Sequence, residues 1–229
     1  MKHISKLLIT GLTCIGMLVA PLAAKEKKEM PQTTKDGLQL VQQSELGAVY
    51  TKPGASLDAY NKIMLLDTYV AFAKNWKRDY NREEVGLGNR ITDKEMEKIK
   101  TEVASEFKKV FTEELQKGGY QVVTQTGQDV MLIRPAIINL TITAPDLNTA
   151  SMSQSFVRSA GTLTLYAELY DSVTSDKFAE VIDNEEAGGH GFARAANRVT
   201  NKAALDQTLG RWAGLLRKRL DEAHGKTGK

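Results

Sequence analysis

The sequence offers few residues for catalysis. Of its three histidines, His3 lies near the start and His224 near the end, which leaves His190 for a folded site. It stands in Gly188-Gly189-His190-Gly191, a setting that suits a solvated loop residue better than a general base. The carboxylate pairs Glu83-Glu84 and Glu185-Glu186 could do acid–base work if one member were desolvated. Neighbours on a strand point to opposite faces, however, so Glu185 and Glu186 form no dyad. The chain contains no Gly-x-Ser-x-Gly elbow, no P-loop and no Gly-x-Gly-x-x-Gly opening a helix. Gly86-Leu87-Gly88 falls in a polar stretch and reads as a turn. Asp171 and Asp176 flank a second turn whose Asx geometry accounts for both, without the alternating ligands of a calcium loop. A single cysteine, Cys14, excludes a disulfide framework and a Cys-based zinc site. We expect no catalytic residue, no cofactor and no metal. The competing expectation is an envelope hydrolase with an unfamiliar carboxylate site that includes His190.

Binding residues are the other candidates. Arg78, Arg82 and Arg90 could hold an anionic headgroup, but Asp79, Glu83 and Glu84 lie among them, so mutual ion pairs are the expectation. With 31 basic against 28 acidic residues, no broad electrostatic pull on nucleic acid is expected. The stretch 145–160 is long for a hairpin connection and carries Met152, Phe156 and Arg158, residue types that anchor interfaces. Two readings stay open: the loop is a partner-binding edge, or Phe156 tucks into the domain's own core. Carriage of an apolar ligand inside the core would need a sizeable cavity, and the closely spaced Phe and Leu residues argue against one.

The elements that must position these residues follow from periodicity. Thr92 with Glu95 three residues on forms a capping box. Behind it Met96, Ile99, Val103, Phe107, Val110, Phe111 and Leu115 make one apolar helical stripe, closed by Gly118-Gly119. A last helix over about 200–222 carries Leu205, Leu209, Trp212, Ala213, Leu216 and Leu220 on one face, with Gly210 and Gly214 allowing close packing on a sheet. Phe107 and Trp212 are the expected core anchors. Strands are expected at 63–72, 120–124 and 130–142, the last presenting Val130, Leu132, Ala136, Ile138, Leu140 and Ile142 on one face and kinked near Pro135. A hairpin follows, from Leu163–Tyr170 to Phe178–Glu186. Residues 73–92 read as a polar loop. The sum is an α+β fold: an antiparallel or mixed sheet of four to five strands, with two main helices packed on one face. The expected organisation is a signal peptide at 1–24, a flexible linker at 25–48, one domain at 49–222 and a disordered tail at 223–229.

Residues 1–24 have the pattern of an export signal. Lys2 and Lys6 precede an uncharged run from Leu7 to Leu22, and Ala20-Pro21-Leu22-Ala23-Ala24 offers small residues for cleavage. The run is too short for a membrane span, so no span is expected after cleavage. Periplasmic localisation is the favoured reading, and lipidation at Cys14 with outer-membrane anchoring the alternative.

The segment Val49-Tyr50-Thr51-Lys52-Pro53-Gly54, continuing through Tyr60-Asn61-Lys62-Ile63-Met64-Leu65-Leu66-Asp67, resembles the start of a bacterial secreted and lipoprotein family, domain of unknown function 3313. Gly118-Gly119-Tyr120-Gln121-Val122-Val123, the strand 130–142 and the last helix with Trp212 are similar too. The resemblance implies a Gram-negative envelope protein of unassigned activity and brings no catalytic residues. Many members carry a clear lipobox; here Gly11-Leu12-Thr13 precedes Cys14. The expected function is a non-catalytic cell-envelope binding or assembly module, its partner an envelope protein or component. Mass spectrometry of the exported protein should give a chain beginning at Lys25; a lipid-bearing Cys14 terminus would contradict this.

Overall fold

The computed structural model describes residues 30–41, 44–84, 90–143, 155–157, 160–187, 194–196 and 198–226. In chain order the elements are β1 (Gln39–Leu40), β2 (Ala48–Thr51), β3 (Lys62–Leu65), β4 (Tyr69–Phe72), α1 (Trp76–Glu83), α2 (Asp93–Lys117), β5 (Gln121–Val123) and β6 (Val130–Leu140). They continue with β7 (Ser155–Val157), β8 (Gly161–Asp171), β9 (Lys177–Ala187), β10 (Arg194–Ala196) and α3 (Arg198–Ala223). The α+β class stands, but the sheet is larger than the four to five strands expected. Among the described residues it has eight, in the order β1-β2-β9-β8-β6-β3-β5, with β4 also on β6. It is mixed: the β6–β8, β8–β9 and β9–β2 pairs are antiparallel, while β3 and β4 run parallel to β6.

The additional strands are short ones that periodicity does not reveal. The stretch 63–72 is not one strand but two, laid end to end along the same edge of β6. The break falls where β6 has Pro135. Ile133 accepts from the Leu66 N–H at 3.0 Å, so odd-numbered backbone groups of β6 face that edge. The missing N–H of Pro135 therefore meets the gap between β3 and β4, and a proline is tolerated in a central strand. The region 25–48 is not a linker throughout: β1 and β2 lie in or overlap it, and Leu38 is only 1% exposed. Nor is 73–92 a plain polar loop, because it contains α1. Trp76 stacks on Phe72 at 4.5 Å and on Tyr80 at 5.5 Å, and the Asn81 side chain bonds both backbone groups of Ile91.

The strong local signals hold. Thr92 and Glu95 form the capping box, and β8 and β9 pair through the expected hairpin, with Val173 and Thr174 donating to Asp171 in its turn. Both long helices cover the sheet face bearing Leu163, Leu165, Ala167 and Leu169. Phe107 and Trp212 are buried against it.

The facing of β6 differs from expectation. Met131, Ile133 and Ile137 are the buried set, and Leu132, Ala136 and Ile138 are half-exposed on the outer face. Asn139, at φ 52°, shifts the parity so that Leu140 is buried again. Gly161, at φ 149°, is obligatory: a Cβ there would lie 1.9 Å from the Thr141 carbonyl oxygen. Gly210 has open space around it and Gly214 is closest to Glu114 of α2, so neither glycine serves close packing on the sheet. Beyond α3 the Lys226 ammonium lies 4.2 Å from the centre of the Tyr120 ring. No helix among the described residues is long and apolar enough to cross a membrane.

Candidate functional site

The site is built around a buried carboxylate. Asp183 of β9, its side chain 7% exposed, accepts from the Gly47 N–H at 2.7 Å and from Trp212 Nε1 at 2.7 Å. The Arg211 guanidinium pairs with Asp183 and with Glu185. Three stretches that are distant in sequence are thereby joined: the run before β2, strand β9 and helix α3. A buried carboxylate is tolerated when donors close on it in this way.

Trp212 meets Asp183 with the polar edge of its indole and presents the ring to the space beneath α3. Phe107 and Phe111 of α2, their rings stacked at 4.0 Å, face the same space. Opposite them the sheet contributes Ile133, Leu165 and Leu169, but also the small Ala167 and Ala179. The register sets Ala167 across from Val181 and Leu169 across from Ala179. The alanines leave room that leucines would fill. The result is a chamber of about 390 Å³ lined by these residues, by Leu215 and Leu216 of α3, and by Leu46 and Leu57. The Phe and Leu residues thus wall a pocket that opens to solvent at one end.

The chamber's exposed rim is formed by Val41, Glu45, Ala55, Ser56 and Arg219. Glu45 bridges to Lys218 at 2.6 Å and to Arg219 at 3.7 Å. The hydrogen bond from Lys218, aided by both cations, holds the Glu45 carboxyl below its usual range. Among the described residues, Glu45 and Arg219 are the only ionisable groups in the lining.

A second hollow, about 490 Å³, lies between the first half of α2, the start of α3 and the ends of β6 and β8. Its rim includes Glu95, Lys98, Glu102, Glu106 and Lys202. It adjoins the ends of described stretches, as the chamber also does between Val41 and Ser44.

The opposite face of the sheet is polar. Glu168 of β8 accepts from Tyr170 at 2.9 Å, Tyr166 at 3.0 Å and Lys177 at 3.3 Å. Burial alone would raise its pKa; the hydrogen bonds from the two tyrosines and Lys177 prevail and lower it. Lys177 also meets Asp36 and Glu180.

The residues singled out by sequence fare unevenly. Met152 and Arg158 lie outside the described residues, and Phe156 is described through its backbone alone, in β7. That strand pairs with β10 through Phe156 and Ala195, so 145–160 contains regular structure rather than only a connecting loop. His190 also lies outside the described residues. Glu185 is engaged by Arg211, while Glu186, exposed, sits across from Thr162. Arg78 and Arg82 both pair with Asp79, as expected. Among the described residues no group of three His, Cys, Asp or Glu side chains could hold a metal. Sequence reasoning missed Asp183 and the ion pairs of Glu45 with Lys218 and Arg219. The one available signal was the basic run Arg217-Lys218-Arg219 beside the apolar stripe of the last helix.

The family described as protein of unknown function DUF3313 matches residues 31–216, and the chain belongs to it. No curated protein matches the sequence. Among solved structures it is similar to the PelC dodecamer from Paraburkholderia phytofirmans, at 9% identity and TM-score 0.38, over 73% of this chain and 97% of that one. It is also similar to protein XCC0632 from Xanthomonas campestris, at 14% identity and TM-score 0.37, over 77% and 94%. A third is a putative neuraminyllactose-binding hemagglutinin homolog from Helicobacter pylori, at 9% identity and TM-score 0.34, over 75% and 88%.

Two outcomes follow from the site's electrostatics. Asp183→Ala leaves Trp212 Nε1 and the Gly47 N–H without their acceptor and should cost about 2–4 kcal/mol in urea denaturation; a loss below about 0.5 kcal/mol, the usual surface range, would show that the carboxylate pins nothing. Glu168 has a folded pKa below its unfolded 4.5, so its contribution is present above that pH and fades as the pH falls through the lowered value. Stability of Glu168→Gln should therefore fall less steeply than wild type over roughly pH 5 to 3, and equal slopes would contradict the network.

Proposed function

We propose that this protein is a non-catalytic binding module of the bacterial cell envelope and that the chamber beneath Trp212 is its ligand site. The chamber itself carries the reading. Its volume falls within the roughly 300–1,000 Å³ typical of ligand pockets, and like them it is apolar with a few polar groups at one end. Its interior side chains are aromatic and aliphatic, and its two ionisable residues stand at the mouth. That composition suits retention of an apolar group rather than bond making or breaking. The envelope setting is supported by the export pattern of residues 1–24.

An unfilled chamber weakens a core by the contacts its walls forgo, so a fold that keeps one gains most when it is occupied. A neutral apolar reporter dye such as N-phenyl-1-naphthylamine should brighten on binding. Ala167→Leu, which projects into the chamber, should weaken that binding at least about tenfold while leaving the urea midpoint unchanged or higher, since it fills space. Unchanged dye binding in Ala167→Leu, or none in wild type, would overturn the reading.

A further inference from the structure

The mouth of the chamber has its own chemistry. Lys218 and Arg219, both about half-exposed, project from α3 toward the lip formed by residues 44–46. That lip is fixed at two points: Leu46 packs against the core cluster, and the Gly47 N–H is held by Asp183. Glu45, between them, is exposed at the rim and pairs with the two cations. Arg219 also meets Glu222 at 2.8 Å, whereas among the described residues Lys218 pairs with Glu45. An apolar chamber thus ends in a carboxylate held by a lysine and an arginine, and that carboxylate sits on a side chain free to rotate away.

Resting on the proposed function above, we infer that the ligand is a single-chain amphiphile with a carboxylate head, a long-chain fatty acid type of molecule, whose head replaces Glu45 at Lys218 and Arg219. The apolar walls define the tail. The chamber's volume lies at the small end of the ligand-pocket range, which suits one chain rather than two. The group already seated on the cations defines the head: a carboxylate, accepted by an ammonium and by the forked donors of a guanidinium. Exchange keeps both cations paired, so the ion pairs of the empty state are replaced rather than lost. Exposed pairs contribute little each, so most of the affinity comes from the tail, about fourfold per added CH₂ until the chamber is full.

The test compares dodecanoate with 1-dodecanol, each displacing the dye from the purified full chain. Wild type should prefer the acid. Lys218→Glu combined with Arg219→Glu should weaken the acid roughly three- to tenfold and leave the alcohol within about twofold, with an unchanged circular dichroism spectrum. Glu45→Gln should tighten the acid, because the internal competitor is gone. Equal affinities for acid and alcohol in wild type, a charge reversal that weakens both alike, or no gain in Glu45→Gln would overturn the inference while leaving the chamber as an apolar site. Failure of both ligands and the dye to bind wild type would overturn the proposed function as well.

Discussion

Asp183 lies on the helix-covered side of β9, and donors from Gly47, Arg211 and Trp212 converge on its carboxylate. Taking a carboxylate out of water is costly, and this one is compensated only while all three segments keep their places. The hydrogen bond to Trp212 has a further geometric effect. It holds the indole by its polar edge, so that the ring spans the space under α3 instead of sinking into the sheet. The lip of the chamber depends on the same group through Gly47. Helix position, roof and lip are therefore set together.

The remainder of the fold supports that arrangement from a distance. Arg217 bonds Glu114 of α2 at 2.9 Å, and the Tyr120 hydroxyl, just after α2, donates to Asp221 of α3 at 2.9 Å. These contacts align the two helices with each other, while Asp183 aligns α3 with the sheet. Between the helices and the sheet, Ala167 and Ala179 leave a volume that no described side chain fills. Departures from close packing are where function is to be sought in a sequence that is otherwise locally consistent. Glu168, on the far face, shows the opposite case: Tyr166, Tyr170 and Lys177 donate to it, and Lys177 also pairs with the facing Glu180.

What the sequence reveals depends on how local the cause is. The capping box at Thr92, the stripe from Val103 to Leu115, the β8–β9 hairpin and the last helix each have their cause within about 25 residues, and all are present. Strands β1 and β2 are two and four residues long; they exist because β9 offers an edge, which no window around Gln39 or Ala48 displays. The facing of β6 was ambiguous because both parities are apolar, and only its neighbours and the αL residue Asn139 decide it. α1 was hidden by its charge, since its aromatic residues Trp76 and Tyr80 stack beside Phe72 rather than forming a long stripe. The chamber is least legible of all. It is a shortage of volume shared between β8, β9, α2 and α3, and its mouth pairs residues 173 apart in sequence.

The most direct measurement is a crystal structure of the protein grown with 12-bromododecanoate, in which bromine gives an anomalous signal. The account predicts one bromine peak inside the chamber, among Phe107, Leu165 and Trp212, with the carboxylate at Lys218 and Arg219 and Glu45 turned away. Bromine bound elsewhere, with the space beneath Trp212 filled by the protein's own side chains, would contradict it.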